Sequence, residues 1–250
     1  RDLHSFPTRR SSDLYKIYSF CIALPIAVVI TIFVALTIMI ASLLGDKDKV
    51  SYIMCKFWGR SWCVLFLLPV KTEGLDKLDK NQSYVFLANH QGYFDIFLIY
   101  GYLNHNLKWM MKEYLRKIPF VGKACEMSGQ IYVGDSRAAI AKAIAQSRET
   151  LRGGMSMMIF PEGTRTYDGS IGEFKRGAFM LSNEIGLPIV PLTINGSFKV
   201  FNRKARSVSQ GKLSLTVHDP IPPEYYQKKN TKVFMQEVWE TINESLVVSH

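Results

Sequence analysis

The sequence predicts an α/β fold in which a mixed, mostly parallel sheet is flanked by helices and preceded by one or more membrane helices. After Lys71, short apolar runs typical of buried strands, such as SYVFLA at 83–88, alternate with helical patterns. An uncharged apolar run of 28 residues, Ile17–Leu44, lies upstream of that alternation. The 250 residues are 48% hydrophobic, which suffices for one globular domain with a sizeable core.

Charge and cysteine content narrow the class of protein. Lys and Arg number 31 against 21 Asp and Glu, and the net charge of +10 suggests an anionic partner such as a membrane surface. No recognised nucleic-acid motif accompanies this charge, so no nucleic-acid partner is expected. The four cysteines form no CxxC pair and no dense framework, which excludes a disulfide scaffold and argues against a zinc site.

The first fourteen residues are set apart from the fold prediction. Residues 4–14 read HSFPTRRSSDL, which matches one translated frame of a common sequencing-adapter oligonucleotide. We therefore expect residues 1–14 to be a sequence artefact; the alternative is a genuine basic, serine-rich leader. Removing their three arginines and two aspartates leaves a net charge of +9, so the basic excess does not depend on them.

Residues 15–70 are predicted to anchor the chain in a membrane. Ile17–Leu44 exceeds the roughly 20 apolar residues that span a bilayer core, so it can span with tilt, or kink or re-enter at Pro25. The alternative is a secretory signal peptide, whose apolar region of about 7–15 residues is shorter than this run. Basic residues follow the run, and the positive-inside bias predicts an inner (plasma) membrane location with the downstream domain in the cytoplasm. They are Lys47, Lys49, Lys56 and Arg60.

A second helix is predicted over Val50–Val70, where aromatic and apolar residues surround two basic ones. In a helix lying in the membrane interface, Trp58 and Trp62 would sit at the level of the lipid headgroups. The alternative is a helix packed on the soluble core.

Residues 71–250 are predicted to form the α/β domain. Apolar runs of four to six residues predict strands, and longer stretches with helical periodicity predict helices. Asp135 or Ser136 can cap the helix that Gly153-Gly154 ends. The predicted elements are strand Ser83–Ala88, helix Ile96–Leu103, strand Gln130–Val133, helix Arg137–Leu151, strand Met155–Phe160, helix Gly177–Ile185, strands Ile189–Ile194 and Lys212–Val217, and helix Thr231–Val247.

The first candidate catalytic motif is NHQGYFD at 89–95, directly after a predicted strand. His90 and Asp95 would be about 140° apart on one regular helix, so they need a loop between them to meet. Gly92 permits that loop, with Asp95 in the first turn of the next helix. Such a pair fits general-base catalysis: Asp95 fixes the imidazole tautomer, and His90 takes a proton from a hydroxyl. The GxSxG elbow of a serine nucleophile is absent, so the hydroxyl would belong to the substrate; the alternative is an ordinary surface histidine.

The second candidate motif is FPEGTR at 160–165, which again follows a predicted strand. Arg165 offers a planar fork suited to a phosphate, Gly163 lets the backbone approach a ligand, and the Thr164 hydroxyl adds a donor. Glu162 would hold Arg165 or bind a substrate hydroxyl. A turn with a surface ion pair is the alternative.

Together these motifs resemble the glycerolipid acyltransferases of the 1-acylglycerol-3-phosphate acyltransferase type. The resemblance covers roughly residues 70–220. It rests on His90…Asp95, FPEGTR at 160–165, Ile189-Val190-Pro191, KEYL at 112–115, IPFVG at 118–122 and FKRGAF at 174–179, all in the family's order.

The resemblance implies a glycerol-3-phosphate acyltransferase-like fold and direct acyl transfer without metal or cofactor. His90 would deprotonate the hydroxyl of a lysophospholipid, which attacks an acyl thioester supplied as acyl-CoA or acyl-acyl-carrier-protein. Asp95 would orient His90. The glycerol-phosphate part would be held by Glu162, Gly163, Thr164 and Arg165, with help from Lys112. The expected acceptor is lysophosphatidic acid, and the expected product is phosphatidic acid in the membrane.

One block departs from the family pattern. GQIYVGD at 129–135 places Asp135 where the family often carries an arginine, and Arg137 is a candidate substitute. The departure leaves the acceptor headgroup open, with a lyso-ornithine lipid or another lysophospholipid as alternatives. Two other functions also stay open: a non-catalytic membrane lipid-binding protein, and a thioester hydrolase in which His90 activates water.

Other polar residues receive simpler interpretations. His105 follows a predicted helix end and is expected to be solvated, and His218 is expected in a turn. A basic stretch is expected to be a solvated loop, with docking to a membrane or a carrier protein as the alternative. That stretch comprises Lys199, Arg203, Lys204 and Arg206.

Overall fold

The structure, a computed structural model, describes residues 9–45, 47–134, 136–205 and 207–247. Residues 1–8 of the expected artefact lie outside the described residues, as do Asp135, Arg206 and the side chain of Arg137. The expectations that concern them stay predictions.

Helices and strands alternate through the described residues. The helices are α1 (Arg9–Tyr18), α2 (Leu24–Leu44), α3 (Lys47–Leu65), α4 (Phe94–Tyr102), α5 (Val121–Met127), α6 (Arg137–Thr150), α7 (Arg176–Ile185), α8 (Ser197–Phe201), α9 (Pro223–Tyr226) and α10 (Thr231–Glu244). The strands are β1 (Val70–Glu73), β2 (Val85–Ala88), β3 (Asn106–Lys112), β4 (Ile131–Val133), β5 (Met155–Ile159), β6 (Ile189–Asn195) and β7 (Leu213–Val217).

The strands form one sheet in the order β1-β7-β6-β2-β5-β3-β4. β6 and β7 pair antiparallel, and every other neighbouring pair is parallel. Side chains of the central strand β2 alternate between two cores: Phe86 packs with α3 and α4, whereas Leu87 packs with α7 and α10. The predicted α/β class with a mixed, mostly parallel sheet flanked by helices is confirmed.

The apolar N-terminal run is helical, and among the described residues it is the one helix long and apolar enough to cross a membrane. The helical path runs without a break over Asp13–Leu44, 32 residues. A π-helical turn, Ser19–Ala23, lies immediately before Pro25. Proline lacks the amide that would bond to the preceding turn, and the wider turn accommodates this loss, so the helix continues past Pro25.

Helix α3 confirms the predicted second helix, but its tryptophans do not face outward. Trp62 stacks on Phe97 at 4.2 Å between ring centroids, and Trp58 meets the same ring edge-on at 4.8 Å. Both indole N–H groups donate to the Thr31 hydroxyl in α2, at 2.8 and 3.2 Å. Their rings fill the space between α2, α3 and α4, which supports the alternative of a helix packed on the protein core. The expected headgroup level of Trp58 and Trp62 is a depth in the membrane and stays a prediction.

Helices α3 and α4 approach so closely that their backbones touch. A Cβ atom built on Gly59 would collide with the Phe97 carbonyl oxygen and the Gly101 amide nitrogen. A Cβ atom on Gly101 would make tight contacts of 3.0–3.1 Å with the Gly59–Arg60 backbone. The crossing therefore requires glycine on both helices.

Strands β1 and β3 were not predicted. For β3, which lies inside the sheet, a buried charge explains why the sequence pattern did not indicate a strand. Strand β3 reads NLKWMMK, and its Lys108 is only 2% exposed. The Lys108 Nζ donates to Asp48 Oδ1 at 2.7 Å and to the Ser128 carbonyl at 2.5 Å. A paired lysine inside the sheet interrupts the apolar pattern that marks the other strands. The other strand that was not predicted, β1, is a short and half-exposed strand at one edge of the sheet.

His105 is buried, which corrects its predicted solvation. Its Nε2 atom lies 3.0 Å from the Gln82 carbonyl, and Tyr84 and Phe86 pack edge-on against the ring. Burial lowers its pKa from the ordinary value of 6.5. Its ring packs against Tyr84 and Phe86, so the loop that precedes β3 is covered rather than exposed.

Candidate active site

Both predicted motifs leave the same edge of the sheet. Strands β2 and β5 are parallel neighbours, with Leu87 opposite Ile159, so the loops that follow them lie side by side. The Thr166 amide donates to the His90 carbonyl at 2.8 Å and ties the two loops together. Ligands of parallel sheets bind at this carboxyl edge, which makes it the candidate site.

His90 and Asp95 are in hydrogen-bond contact across the loop. His90 Nδ1 lies 2.6 Å from Asp95 Oδ2, and Asp95 sits in the first turn of α4 with 0% exposure. The same oxygen accepts the backbone amides of Gln91 at 2.7 Å and Gly92 at 3.0 Å. The carboxylate therefore holds both the ring and the loop that carries it.

This geometry assigns the chemistry of the imidazole. With Nδ1–H donating to the carboxylate, Nε2 carries the free lone pair and is the atom that can accept a proton. The adjacent Asp95 charge stabilises the imidazolium that would result. The side chain of His90 is 15% exposed, so the ring is anchored but reachable. These are the requirements for a general base.

Phe160 fixes the plane of that ring, a contact that no sequence signal had singled out. The two rings are stacked with centroids 3.8 Å apart and an interplanar angle of 5°. Trp109 from β3 supports Phe160 from a centroid distance of 5.4 Å. The position of Phe160 could have indicated this contact, because Phe160 directly follows β5 and His90 follows the neighbouring strand β2.

Glu162 points into the protein rather than towards a ligand. Its Oε1 accepts the His90 amide at 2.7 Å, and its Oε2 accepts the Gly172 amide at 2.8 Å. The residue is 4% exposed, and burial raises its pKa from 4.5 to about 7, against the lowering effect of the two amides. The geometry supports a role in positioning the catalytic loop, in place of the predicted contact with substrate or Arg165.

The last three residues of FPEGTR lie nearer the surface than the buried Pro161 and Glu162. Gly163 has φ +67°, a conformation that favours glycine, and the side chain of Lys175 packs where a Cβ atom would stand. Thr164 is exposed. The Arg165 guanidinium lies 3.8 Å above the centre of the Tyr93 ring, so its plane is fixed beside the His90 loop. These three residues present a donor-rich surface at the mouth of the site.

Lys112 and Pro191 take different positions around this centre. Lys112 ends β3 at the same carboxyl edge, but β5 separates that strand from β2. Pro191 lies buried in β6 opposite Leu87, behind the motif loops, where it supports them. In the part of the chain that the structure describes, no three His, Cys, Asp or Glu side chains come together as a metal site requires.

The remaining polar residues of the prediction are also placed. Lys199, Arg203 and Lys204 are exposed, as expected for a solvated stretch. Arg203 nevertheless stacks 4.0 Å above the Tyr167 ring, beside FPEGTR. His218 follows β7 and is half-buried, with Nε2 2.8 Å from the Thr193 hydroxyl.

Comparison with known proteins decides the family. Residues 69–195, which hold both motifs, match the family model described as Acyltransferase. The chain belongs to this acyltransferase family. A solved 1-acyl-sn-glycerophosphate acyltransferase, PlsC from Thermotoga maritima, superposes with a TM-score of 0.80 and 25% identity, over 94% of both chains.

Relatives of this acyltransferase carry consistent names. A chloroplastic 1-acyl-sn-glycerol-3-phosphate acyltransferase of Brassica napus is 28% identical over 86% of this chain and 63% of its own length. One from Helicobacter pylori is 30% identical over 65% of this chain and 69% of its own. A chloroplastic relative from Arabidopsis thaliana is 30% identical over 70% of this chain, which spans 49% of that relative. The predicted resemblance is confirmed at the level of the family.

Proposed function

We propose that this acyltransferase transfers an acyl group from an acyl thioester to the free hydroxyl of lysophosphatidic acid, giving phosphatidic acid. The observation that carries the proposal is the His90–Asp95 pair beside the half-buried Arg165. A general base next to a fixed cation suits an acceptor that carries both a hydroxyl and a phosphate. The names of the relatives and of the Thermotoga maritima structure support lysophosphatidic acid as acceptor.

The reaction needs one proton carrier. Nε2 of His90 accepts the proton of the acceptor hydroxyl as its oxygen attacks the thioester carbonyl carbon. The imidazolium is held by Asp95 while the tetrahedral intermediate forms. When that intermediate collapses, the new ester is complete, the carbon–sulfur bond breaks, and the imidazolium proton passes to the leaving thiolate. His90 is then neutral again, and no acyl-enzyme has formed.

The other partners follow from this chemistry. The donor is acyl-CoA or acyl-acyl-carrier-protein, both of which carry the required thioester. No metal or cofactor enters the proposed steps. Binding of the glycerol-phosphate part falls to Gly163, Thr164 and Arg165, with Lys112 contributing from the neighbouring strand end, and Glu162 holding the loop.

We place the protein at the inner (plasma) membrane with the catalytic domain in the cytoplasm. Only 28% of the most apolar 18-residue window of Asp13–Leu44 is buried inside the protein, which suits a lipid-facing helix better than a core helix. The outer face of α3 adds a shallow groove of about 420 Å³, where Ile53, Phe57 and Val64 mix with Lys56 and Arg60. Apolar side chains with basic neighbours suit a membrane interface.

The test is an acyl-transfer assay on membranes that contain the full chain. Labelled acyl-CoA and acyl-acyl-carrier-protein are offered with lysophosphatidic acid, other lysophospholipids and a lyso-ornithine lipid. We expect phosphatidic acid from the wild type. His90→Ala is expected to lower turnover at least about 10²-fold, the low end for a lost general base.

Each other outcome points elsewhere. Transfer to a different acceptor alone would keep the mechanism and reject lysophosphatidic acid. Free fatty acid formed without any acceptor would favour a hydrolase. Full biological function in a His90→Ala strain would favour a lipid-binding protein.

A further inference from the structure

The loop after α8 places a second arginine against FPEGTR. The Arg203 guanidinium lies 4.0 Å above the Tyr167 ring. Its Nη1 atom donates to the Thr164 hydroxyl and to the Arg165 carbonyl, each at 3.4 Å. A stacked guanidinium keeps its planar edge of N–H groups free for an anion.

This loop is joined to the catalytic loop as well. The Tyr93 amide donates to the Phe201 carbonyl at 3.1 Å, and the two rings lie 5.0 Å apart. Gly92 packs so closely on the Ser197 and Phe201 carbonyls that a Cβ atom would collide with them. The segment from Ser197 to Arg203 therefore bridges the loop of His90 on one side and FPEGTR on the other.

The two arginines form a matched pair. Each guanidinium covers a tyrosine ring, Arg165 on Tyr93 and Arg203 on Tyr167. Among the ion pairs of the described residues, neither arginine has a carboxylate partner. Two cations that are oriented yet not neutralised suit a ligand carrying more than one negative charge.

Resting on the function proposed above, we propose that Arg203 determines acceptor specificity: with Arg165 it binds the phosphomonoester of the lysolipid. A phosphomonoester carries about −1.5 to −2 charges at pH 7, because its second pKa is near 6. A phosphodiester headgroup carries a single charge and has one fewer terminal oxygen. Paired guanidinium groups therefore favour the monoester over the diester. Removal of one group reduces this difference between the two acceptors.

The experiment uses the full chain in membranes, with acyl-CoA, lysophosphatidic acid and lysophosphatidylglycerol, a phosphodiester. Arg203→Met is expected to raise the KM for lysophosphatidic acid about tenfold, the scale of a charged hydrogen bond. We expect kcat and the donor KM to stay within about twofold. The rate with lysophosphatidylglycerol should change less than the rate with lysophosphatidic acid. Arg203→Lys, which keeps the charge without the planar fork, should fall in between.

The matched control is Lys199→Met, which removes an exposed cation from α8, the short helix just before Arg203, and is expected to leave every constant unchanged. An unchanged KM for lysophosphatidic acid in Arg203→Met would overturn the inference. So would a loss confined to the donor KM, or an equal loss with both acceptors. If the wild type itself forms no phosphatidic acid, the proposed function fails instead, and the two failures are distinguishable.

Discussion

A single oxygen atom of Asp95 holds the loop that carries His90. Asp95 Oδ2 accepts the imidazole Nδ1–H and two backbone amides, whereas Oδ1 is buried with no hydrogen-bond partner among the described residues. This one-sided arrangement couples the tautomer of His90 to the shape of the loop. The three hydrogen bonds to this carboxylate compensate for the free energy that it loses when burial removes its water.

Glu162 gives the site a pH dependence that can be measured in the folded protein. Its pKa is raised to about 7 from 4.5, so the folded state favours the protonated carboxyl. The associated stability is present below about pH 4.5 and is lost as the pH rises through about 7. The shift corresponds to about 3 kcal/mol of unfolding free energy.

We therefore expect the apparent melting temperature of the wild type to fall between pH 5 and pH 8, and that of Glu162→Gln to fall much less. Thermal unfolding of both proteins in one detergent measures this. Gln cannot ionise, although its amide NH₂ would face one of the two backbone donors, so the variant starts from a lower value. Parallel pH curves for the two proteins would contradict the assignment.

Contacts between distant parts of the chain determine the roles of the polar residues that the sequence left open. The spacing of His90 and Asp95, with Gly92 between them, predicts a loop-mediated pair, and the structure has this pair. The direction of the Glu162 side chain was not predictable, because the backbone amides that donate to its carboxylate come from residues 10 and 72 positions away. Arg203 lies 38 positions from Arg165, so the contact depends on how α8 packs on the catalytic loop.

At the scale of helices, Thr31 connects the long apolar helix to the α/β domain. Its hydroxyl donates to the Ala27 carbonyl at 2.7 Å and accepts both indole N–H groups of α3, so its hydrogen-bonding capacity is full. The two tryptophans in turn pack on α4, which carries Asp95. Three helices thus share one polar contact inside an apolar interface.

Thr31→Val tests this contact with almost no change of shape. Two indole N–H groups lose their acceptor, and we expect a loss of about 1–3 kcal/mol in stability, seen as a lower apparent melting temperature. Thr37→Val is the matched control, since Thr37 lies on the same helix and its exposed hydroxyl donates only to the Phe33 carbonyl. Equal melting temperatures for the two variants would show that the indole contacts contribute nothing.

Sequence patterns predicted the apolar strands better than the two strands that contain charged residues, β1 and β3. β2, β5 and β6 are fully buried, so their apolar runs are unbroken, and each was predicted within two residues. β3 was missed because Lys108 is buried in it with a partner from α3. The packing of Trp58 on α4 was left open by the sequence, because an aromatic residue near a membrane segment can face either lipid or protein.

At the scale of the whole molecule, the long apolar helix presents a large exposed surface. The exposed apolar side chains of Asp13–Leu44 include Phe20, Val29, Phe33, Leu43 and Leu44. Soluble monomers rarely expose a continuous apolar surface of this kind. The arrangement fits a reaction whose acceptor and product both reside in a bilayer.

The membrane location can be tested by charging that surface. Val29 and Phe33 are 65% and 57% exposed, and two aspartates there cost about 2.5–3.5 kcal/mol each for insertion. The wild type should remain in membranes after an alkaline carbonate wash, and Val29→Asp/Phe33→Asp should not. Val233→Asp, at an equally exposed site on α10, is expected to behave like the wild type. Retention of the double variant would argue against insertion through α2.

The glycine contact between α3 and α4 has a consequence for how substrate is found. Backbones that touch at Gly59 and Gly101 cannot slide, so the start of α4 keeps a constant height above the anchor. With the anchor in a bilayer, the imidazole then works at one depth. For the lysolipid acceptor proposed above, this depth would allow an approach by lateral diffusion with the tail still in the leaflet, so the search would be two-dimensional rather than three-dimensional. The proposed thioester donor would then approach from the aqueous side.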